Sequence, residues 1–179
     1  KSTFLRCLNC MEDPTGGQII FNGVDIADPK VDINIHRRHM GMVFQHFNLF
    51  NNKTVLENIM LAPVHVRCKG LHGAKRKEEV KKIREQAMAL LARINMQDKA
   101  DVYPSTLSGG QKQRLAIARA IAKQPKIYVF DDSFSALDLK TDAALRKALA
   151  SKVKDSTVII VAQRISTILH AEQILVLDD

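Results

Sequence analysis

The residues with the clearest chemical potential are a glycine-rich pentapeptide and a pair of carboxylates further along the chain. Residues 107–111 read LSGGQ and open a helical pattern that runs to about residue 122. A helix N-terminus has free N–H groups and a positive partial charge, so small residues there leave room for phosphate. The apolar run at residues 127–130 predicts a buried strand that ends at Asp131 and Asp132. A phosphate site and metal-binding carboxylates in one chain indicate nucleotide chemistry.

Two further polar positions strengthen this interpretation. Lys1, Ser2 and Thr3 stand at the start of a helical pattern that reaches residue 11. Ahead of the phosphate site and carboxylates, they resemble the end of a P-loop, in which the lysine reaches the terminal phosphates and the next hydroxyl binds Mg²⁺. Gln45 directly follows the apolar run at residues 40–44, where a polar strand end is the simplest interpretation.

The elements that must position these residues alternate between strands and helices, which implies a parallel sheet with crossover connections. An Asn-Gly pair at residues 22–23 predicts a hairpin near the N-terminus. Between about residues 54 and 124 the pattern is helical, which indicates an inserted helical subdomain. The predicted helices are residues 2–11, 55–61, 75–94, 108–122 and 141–151, and the predicted strands are residues 18–21, 40–44, 127–130, 157–161 and 174–177.

Composition narrows the class of protein. A chain of 179 residues with 46% hydrophobic and 26% charged residues is most simply one globular domain. The net charge of +8 is concentrated in residues 67–84, where interleaved glutamates favour a solvated helix face over a nucleic-acid site. That run contains no aromatic residue, which disfavours a single-strand stacking platform. The sequence contains no run of about eighteen apolar residues, so no membrane-spanning helix is predicted. The three cysteines do not make a disulfide framework and are expected to be reduced thiols.

The order of the motifs resembles the nucleotide-binding domain of ATP-binding cassette (ABC) transporters. In that resemblance Gln45 is the Q-loop glutamine, residues 107–111 are the signature, residues 127–131 are the Walker B strand, and residues 135–138 (SALD) are the D-loop. The matches cover essentially the whole chain. The resemblance implies an α/β fold with a P-loop NTPase core, a mostly parallel sheet, an antiparallel β portion near the N-terminus and an inserted α-helical subdomain. Residues 1–179 would form a single ABC-type ATP-binding domain that is truncated at both ends.

The resemblance also implies cofactors, partners and a location. ATP and Mg²⁺ would lie between two ABC protomers, in a homodimer or a heterodimer, with the signature of one protomer covering the γ-phosphate held by the other. Transmembrane permease subunits would be the further partners, at the cytoplasmic face of the cell membrane, and nucleic acid is not an expected partner. The implied residues are Asp132, Gln45 and Gln163 for catalysis; Lys1, Ser2, Thr3, Ser108, Gly109, Gly110, Gln111 and Asp138 for ATP binding; and Ser2, Gln45 and Asp131 for the metal.

Two positions depart from the family pattern. The family usually has glutamate after the Walker B aspartate, whereas this chain has Asp132, which is one methylene shorter. The family has histidine after the next strand, whereas this chain has Gln163, which cannot carry a positive charge. Both changes weaken hydrolysis more than binding, as in the degenerate half-site of heterodimeric exporters. The alternative is tolerated drift in an active enzyme.

The two ends of the chain resemble different subfamilies. The part through about residue 104 resembles ATPases of polar amino-acid importers, whereas residues 131–138 and 162–167 resemble multidrug exporters. A natural mosaic, an assembly artefact and a deliberate recombinant all remain open. The leading hypothesis is the ATP-hydrolysing subunit of an importer. The alternatives are an ATP-dependent dimerisation switch that scarcely hydrolyses ATP, and a soluble ABC ATPase acting on nucleic acid or ribosomes, supported by the basic charge alone.

Overall fold

The chain folds as α/β, and a computed structural model describes residues 2–133, 156–162, 168 and 171–176. The strands are β1 Ile20–Phe21, β2 Val24–Asp25, β3 Met40–Val43, β4 Ile127–Asp131 and β5 Thr157–Val161. The helices are α1 Ser2–Leu8, α2 Ile33–Arg37, α3 Val55–Arg67, α4 Gly73–Arg93 and α5 Gly109–Ala122, with 3₁₀ turns at Gln97–Lys99 and Pro104–Thr106. Among the described residues, no helix is both long and apolar enough to cross a membrane.

A three-stranded parallel sheet in the order β3-β4-β5 carries the predicted chemistry. Met40 pairs with Ile127, and Ile127 pairs in turn with Thr157, so the three carboxyl ends lie at one edge. The central strand β4 is buried over its last four residues, as a continuous apolar run in a parallel sheet predicts. The predicted parallel sheet is confirmed.

The antiparallel portion is the hairpin β1–β2, in which Phe21 pairs with Val24. Asn22 and Gly23 both have positive φ angles, 51° and 79°, which is the requirement of a type I′ turn. The hairpin predicted from the Asn-Gly pair is therefore confirmed.

Helices α3, α4 and α5 pack together within the connection between β3 and β4, and the main core cluster runs from them to the sheet. Both α3 and α5 begin at a capping box, with Thr54 paired to Glu57 and Ser108 paired to Gln111. Each box satisfies backbone N–H groups that the first turn would leave without partners. These local signals explain why the two helix starts were predictable.

Five elements differ from the sequence-based expectation. Helix α1 was predicted over residues 2–11 but ends at Leu8, before the positive φ of Cys10, and the strand predicted over residues 18–21 forms only at Ile20–Phe21. Helix α3 was predicted over residues 55–61 but continues past Pro63 to Arg67, because Pro63 is buried and its packing offsets the lost hydrogen bond. Helix α2 was not predicted, being a single short segment capped by Asp32. The strand predicted at residues 174–177 is wrong for residues 174–176. The structure places these three residues outside any strand, and their apolar side chains are exposed, so the burial that would support a strand is missing. The helix predicted at residues 141–151 lies outside the described residues.

Lys123, which caps the C-terminal end of α5, is hydrogen-bonded to the start of β3. Its Nζ donates hydrogen bonds to the carbonyl oxygens of Arg37 and, at 2.6 Å, of Met40. Burial lowers the pKa of Lys123 from 10.5 to about 8. Because the folded pKa lies below the unfolded one, the unfolded chain binds the extra proton, and folding stability rises with pH between these two values.

We therefore expect the free energy of unfolding to increase by about 1 kcal/mol between about pH 7 and about pH 9.5, after a discount for partial exposure. Urea unfolding at both pH values, compared with Lys123→Met, measures the effect. The variant lacks the titrating group, so its own pH dependence should be smaller by that amount. Equal pH dependence in both proteins would contradict the assignment.

Candidate functional site

The start of α1 and the end of β4 meet directly. The Ser2 hydroxyl donates a hydrogen bond of 2.9 Å to Oδ1 of Asp131, across 129 residues of sequence. Asp131 is 4% exposed, so its carboxylate is held in a largely dry position at the edge of the sheet. A buried carboxylate needs a hydrogen-bond donor or a cation, and Ser2 is the donor in this structure. The structure thus brings together two residues that the sequence assigned to one site.

Asp132 has an unusual backbone conformation. Its φ angle is +47°, in the left-handed region that L-residues other than asparagine and aspartate rarely adopt. Its backbone N–H donates to the carbonyl oxygen of Val161 at 3.1 Å, which fixes the turn against the end of β5. The chain therefore leaves β4 through a backbone conformation that aspartate tolerates better than most other residues.

Ser133 joins the ends of two strands and was not singled out from the sequence. It is 1% exposed, and its hydroxyl donates to the carbonyl oxygen of Val43 at 2.9 Å, and also lies 3.2 Å from the carbonyl oxygen of Asp131. Nε2 of Gln113, which is also 1% exposed, donates to the carbonyl oxygen of Ser133. Ser133 therefore connects three elements: its hydroxyl contacts β3 and the carboxylate turn, and its carbonyl oxygen accepts from α5. The available signal was its place directly after the carboxylate pair.

Gln45 and Thr3 lie on exposed positions near this edge. Gln45 follows the end of β3 by two residues, at the same edge of the sheet as Asp131, and its side chain is exposed. Thr3 is exposed at the second position of α1. The sequence placed Lys1, Asp138 and Gln163 in the same site, but these three residues lie outside the described residues.

The signature residues form the N-terminus of α5. Ser108 is the cap residue, and its Oγ accepts from the backbone N–H of Gln111 at 3.3 Å, while Gln111 Oε1 accepts from the Ser108 N–H at 2.8 Å. A Cβ added at Gly109 or Gly110 would meet no atom within 4 Å. Packing inside the protomer therefore does not require glycine at either position.

The donor chemistry at the edge of the sheet is oxygen-based. No group of three or more histidine, cysteine, aspartate or glutamate side chains that could hold a metal occurs within the described ranges. The set Ser2, Gln45 and Asp131 contains one carboxylate with a hydroxyl and an amide oxygen. Mg²⁺ is usually bound by only one or two carboxylates and completes its coordination shell with water and substrate phosphates.

Comparison with known proteins decides the family. A family model described as ABC transporter matches residues 1–135. The chain belongs to the ABC transporter family. The resemblance inferred from the motif order is therefore confirmed.

Curated relatives of this ABC chain are ATP-binding proteins of amino-acid transport. It is 51% identical over 138 residues to the arginine transport ATP-binding protein ArtM of Bacillus subtilis (strain 168), covering 77% of this chain and 54% of the relative. It is 44% identical over 166 residues to the glutamine transport ATP-binding protein GlnQ of Escherichia coli (strain K12), covering 92% of this chain and 65% of the relative. The chain thus spans between half and two thirds of the length of these relatives.

Solved ABC structures have the same fold. The ATP-binding cassette MJ0796, in a dimeric post-hydrolysis state bound to ADP and Pi, has 33% identity and a TM-score of 0.78, with 92% of this chain and 70% of that chain covered. A bacterial Atm1-family ABC exporter with ATP bound has 34% identity and a TM-score of 0.79, with 99% of this chain and 30% of that chain covered. The α/β cassette fold is therefore confirmed.

Proposed function

We propose that this chain is the ATP-binding and ATP-hydrolysing subunit of an ABC transporter that imports polar amino acids. The observation that carries the proposal is the Ser2–Asp131 hydrogen bond of 2.9 Å, because it unites the hydroxyl after Lys1 with the Walker B carboxylate. The importer assignment is supported by relatives named for arginine and glutamine transport.

Mg²⁺ fits this pair of oxygen atoms. Mg²⁺ prefers oxygen ligands and is usually bound by one or two carboxylates together with water and substrate phosphates. The Ser2 hydroxyl and the Asp131 carboxylate, which are in contact, supply such oxygens. Ser2, Asp131 and Gln45 would hold the ion, and bound Mg²⁺ would neutralise charge that develops on the β- and γ-phosphate oxygens.

The residues around this pair would divide the work of phosphoryl transfer. Lys1, with Thr3 at the start of α1, would bind phosphate oxygens, and Asp132 would orient the attacking water and accept its proton. Gln45 and Gln163 would hydrogen-bond the water and the γ-phosphate. Such chemistry depends on positioned charge, so small displacements of these groups alter the rate strongly.

A second protomer would complete each site. Ser108, Gly109, Gly110 and Gln111 would cover the γ-phosphate held by the partner, and Asp138 would lie at the same interface. The open space around the two glycines supports this role, because packing within the described part of the protomer does not require glycine there. ATP would close the dimer and hydrolysis would release it, which moves permease subunits at the cytoplasmic face of the membrane.

A second candidate function is a dimerisation switch with little hydrolysis, and Asp132 favours it. Its carboxylate is one methylene shorter than glutamate, and a misplacement of about 1 Å costs roughly a hundredfold in rate. We expect Asp132→Glu together with Gln163→His to raise ATP turnover about tenfold or more. ATP binding should not change.

Steady-state turnover and ATP affinity of the single and double variants measure this. The left-handed backbone at residue 132 provides a second measurement on the same variant. Because glutamate tolerates this conformation less well than aspartate, Asp132→Glu should lower the free energy of unfolding by about 1 kcal/mol. High turnover in the unaltered protein, with little change in the variants, would identify an ordinary transport ATPase. Absence of ATP binding in all of them would contradict both functions.

A further inference from the structure

Arg119 on α5 holds the segment that follows Gln45. Its NH1 donates to the carbonyl oxygen of Asn48 at 2.6 Å, and its NH2 donates to that of Phe47 at 3.1 Å. Its guanidinium carbon also lies 5.7 Å from the ring centre of Phe50, within cation–π range. One side chain therefore contacts three of the four residues from 47 to 50.

These contacts begin two residues after Gln45. Asn48 has a φ angle of +46°, so the chain turns sharply where Arg119 holds it. Beyond the turn, the fully buried Asn58 donates to the carbonyl oxygen of Phe50 at 3.0 Å and accepts from the Phe50 N–H at 2.9 Å. On the other side, β3 ends at Val43, whose carbonyl accepts from Ser133. The exposed Gln45 therefore lies on a short segment that is held by Ser133 on one side and by Arg119 on the other.

We propose that Arg119 is a positioning residue that acts through Gln45 and ties its loop to the helix that begins with the signature. This inference rests on the proposed function, since it assigns a role within the same ATP site. Arg119 lies eleven residues after Ser108, and α5 is continuous from Gly109 to Ala122. A shift of the signature end of α5 therefore moves Arg119 with it.

The contact between Arg119 and the loop after Gln45 would connect the two ATP sites of a dimer. The signature of a protomer serves the nucleotide held by its partner, whereas Gln45 serves the nucleotide held by its own protomer. Engagement of Ser108 by the partner's nucleotide would fix α5, and Arg119 would carry that constraint to Gln45 at the other site. Such coupling requires a connection with defined geometry, which the two hydrogen bonds of a planar guanidinium supply.

Arginine is the appropriate residue for this contact. Its forked donors reach two successive carbonyl oxygens while the flat group stacks on a ring, and lysine cannot do both. Burial lowers the pKa of the Arg119 guanidinium, which marks a charge partly removed from water. Arg119→Lys should therefore reproduce only part of the wild-type behaviour.

Arg114 supplies a matched control on the same helix. Its NH1 donates to the carbonyl oxygen of Ile94 at 2.9 Å, at the end of α4 and not in the Gln45 loop. Arg119→Met and Arg114→Met each remove a guanidinium that holds a backbone carbonyl. Only Arg119→Met should lower kcat, by about tenfold to a hundredfold, with the KM for ATP unchanged.

Hydrogen exchange provides a readout that does not depend on turnover. Without nucleotide, exchange of the backbone amides of residues 46–50 should accelerate about tenfold in Arg119→Met and remain unchanged in Arg114→Met. Unchanged exchange in both variants would overturn the proposed contact. Arg119→Lys, which retains one donor group, keeps this comparison available if Arg119→Met folds poorly.

A double-mutant cycle with Gln45→Ala completes the test. If Arg119 acts through Gln45, Arg119→Met lowers kcat in the parent protein but has little further effect in the Gln45→Ala background. Equal losses in both backgrounds would overturn the Arg119 proposal while leaving the ATPase function intact. A Gln45→Ala variant with full kcat would remove the role of Gln45 and this inference with it, and a parent protein without turnover would contradict the proposed function itself.

Discussion

Asp131→Asn should lower ATP turnover by about a hundredfold to a thousandfold without unfolding the protein. The amide has the shape of the carboxylate and can still accept the hydrogen bond from Ser2, so the 2.9 Å contact between α1 and β4 survives. The negative charge that would hold Mg²⁺ does not. Removing a buried carboxylate also relieves desolvation, so the melting temperature without ligand should be unchanged or higher.

Turnover, Mg²⁺ dependence and thermal melting measure this prediction. Asp98→Asn is the matched control, because it makes the same chemical change at an exposed carboxylate in the 3₁₀ turn Gln97–Lys99. That control should retain full turnover. Comparable turnover in both variants would show that Asp131 does not hold the metal. Loss of folding in Asp131→Asn would show that its charge supports the structure.

We expect Gly110→Asp to raise the stability of the protomer while it lowers ATP turnover. Gly110 is the second residue of α5, its added Cβ meets no atom within 4 Å, and aspartate in a first helical turn interacts favourably with the helix dipole. The protomer should therefore be stabilised by about 0.5–1 kcal/mol. Turnover should fall about a hundredfold or more, because in the proposed dimer a negative side chain would then face the partner's γ-phosphate.

Ala74→Asp is the control for this variant, since Ala74 is the exposed second residue of α4 and receives the same side chain at the same helical position. It should keep full turnover. Mixing Gly110→Asp with Asp131→Asn tests whether the site is shared. In a random mixture half of the dimers would be mixed and would contain one intact site, so about a quarter of the wild-type activity should return where that site works without the other. No recovery on mixing would contradict a shared site whose two halves turn over independently.

Much of the fold was predictable because its signals are local. The Asn-Gly turn, the capping boxes at Thr54 and Ser108, and the apolar run of β4 each depend on a few neighbouring residues. The meeting of Ser2 with Asp131 was predicted through motif order, since no local pattern relates residues 129 apart. The family relation then follows from the same motifs.

The contacts that organise the site were not predictable from local patterns. Ser133 and Arg119 look like an ordinary turn residue and an ordinary helix cation, yet both hold backbone carbonyls beside Gln45. Their partners lie 72 and 90 residues away in sequence. The left-handed conformation of Asp132 was equally hidden, because aspartate also adopts common conformations elsewhere.

The parallel pairing of β3 with β4 has a consequence for synthesis of the protein. Met40 faces Ile127, so β3 leaves the ribosome 87 residues before its partner strand. At a translation rate of about 5–20 residues per second, that interval lasts about 4–17 s. Throughout it, an apolar strand is without the central strand that covers it in the folded sheet. Helices α3 to α5 emerge in that interval, and they share the main core with Val43 of β3, so their early folding would cover part of the strand before β4 arrives.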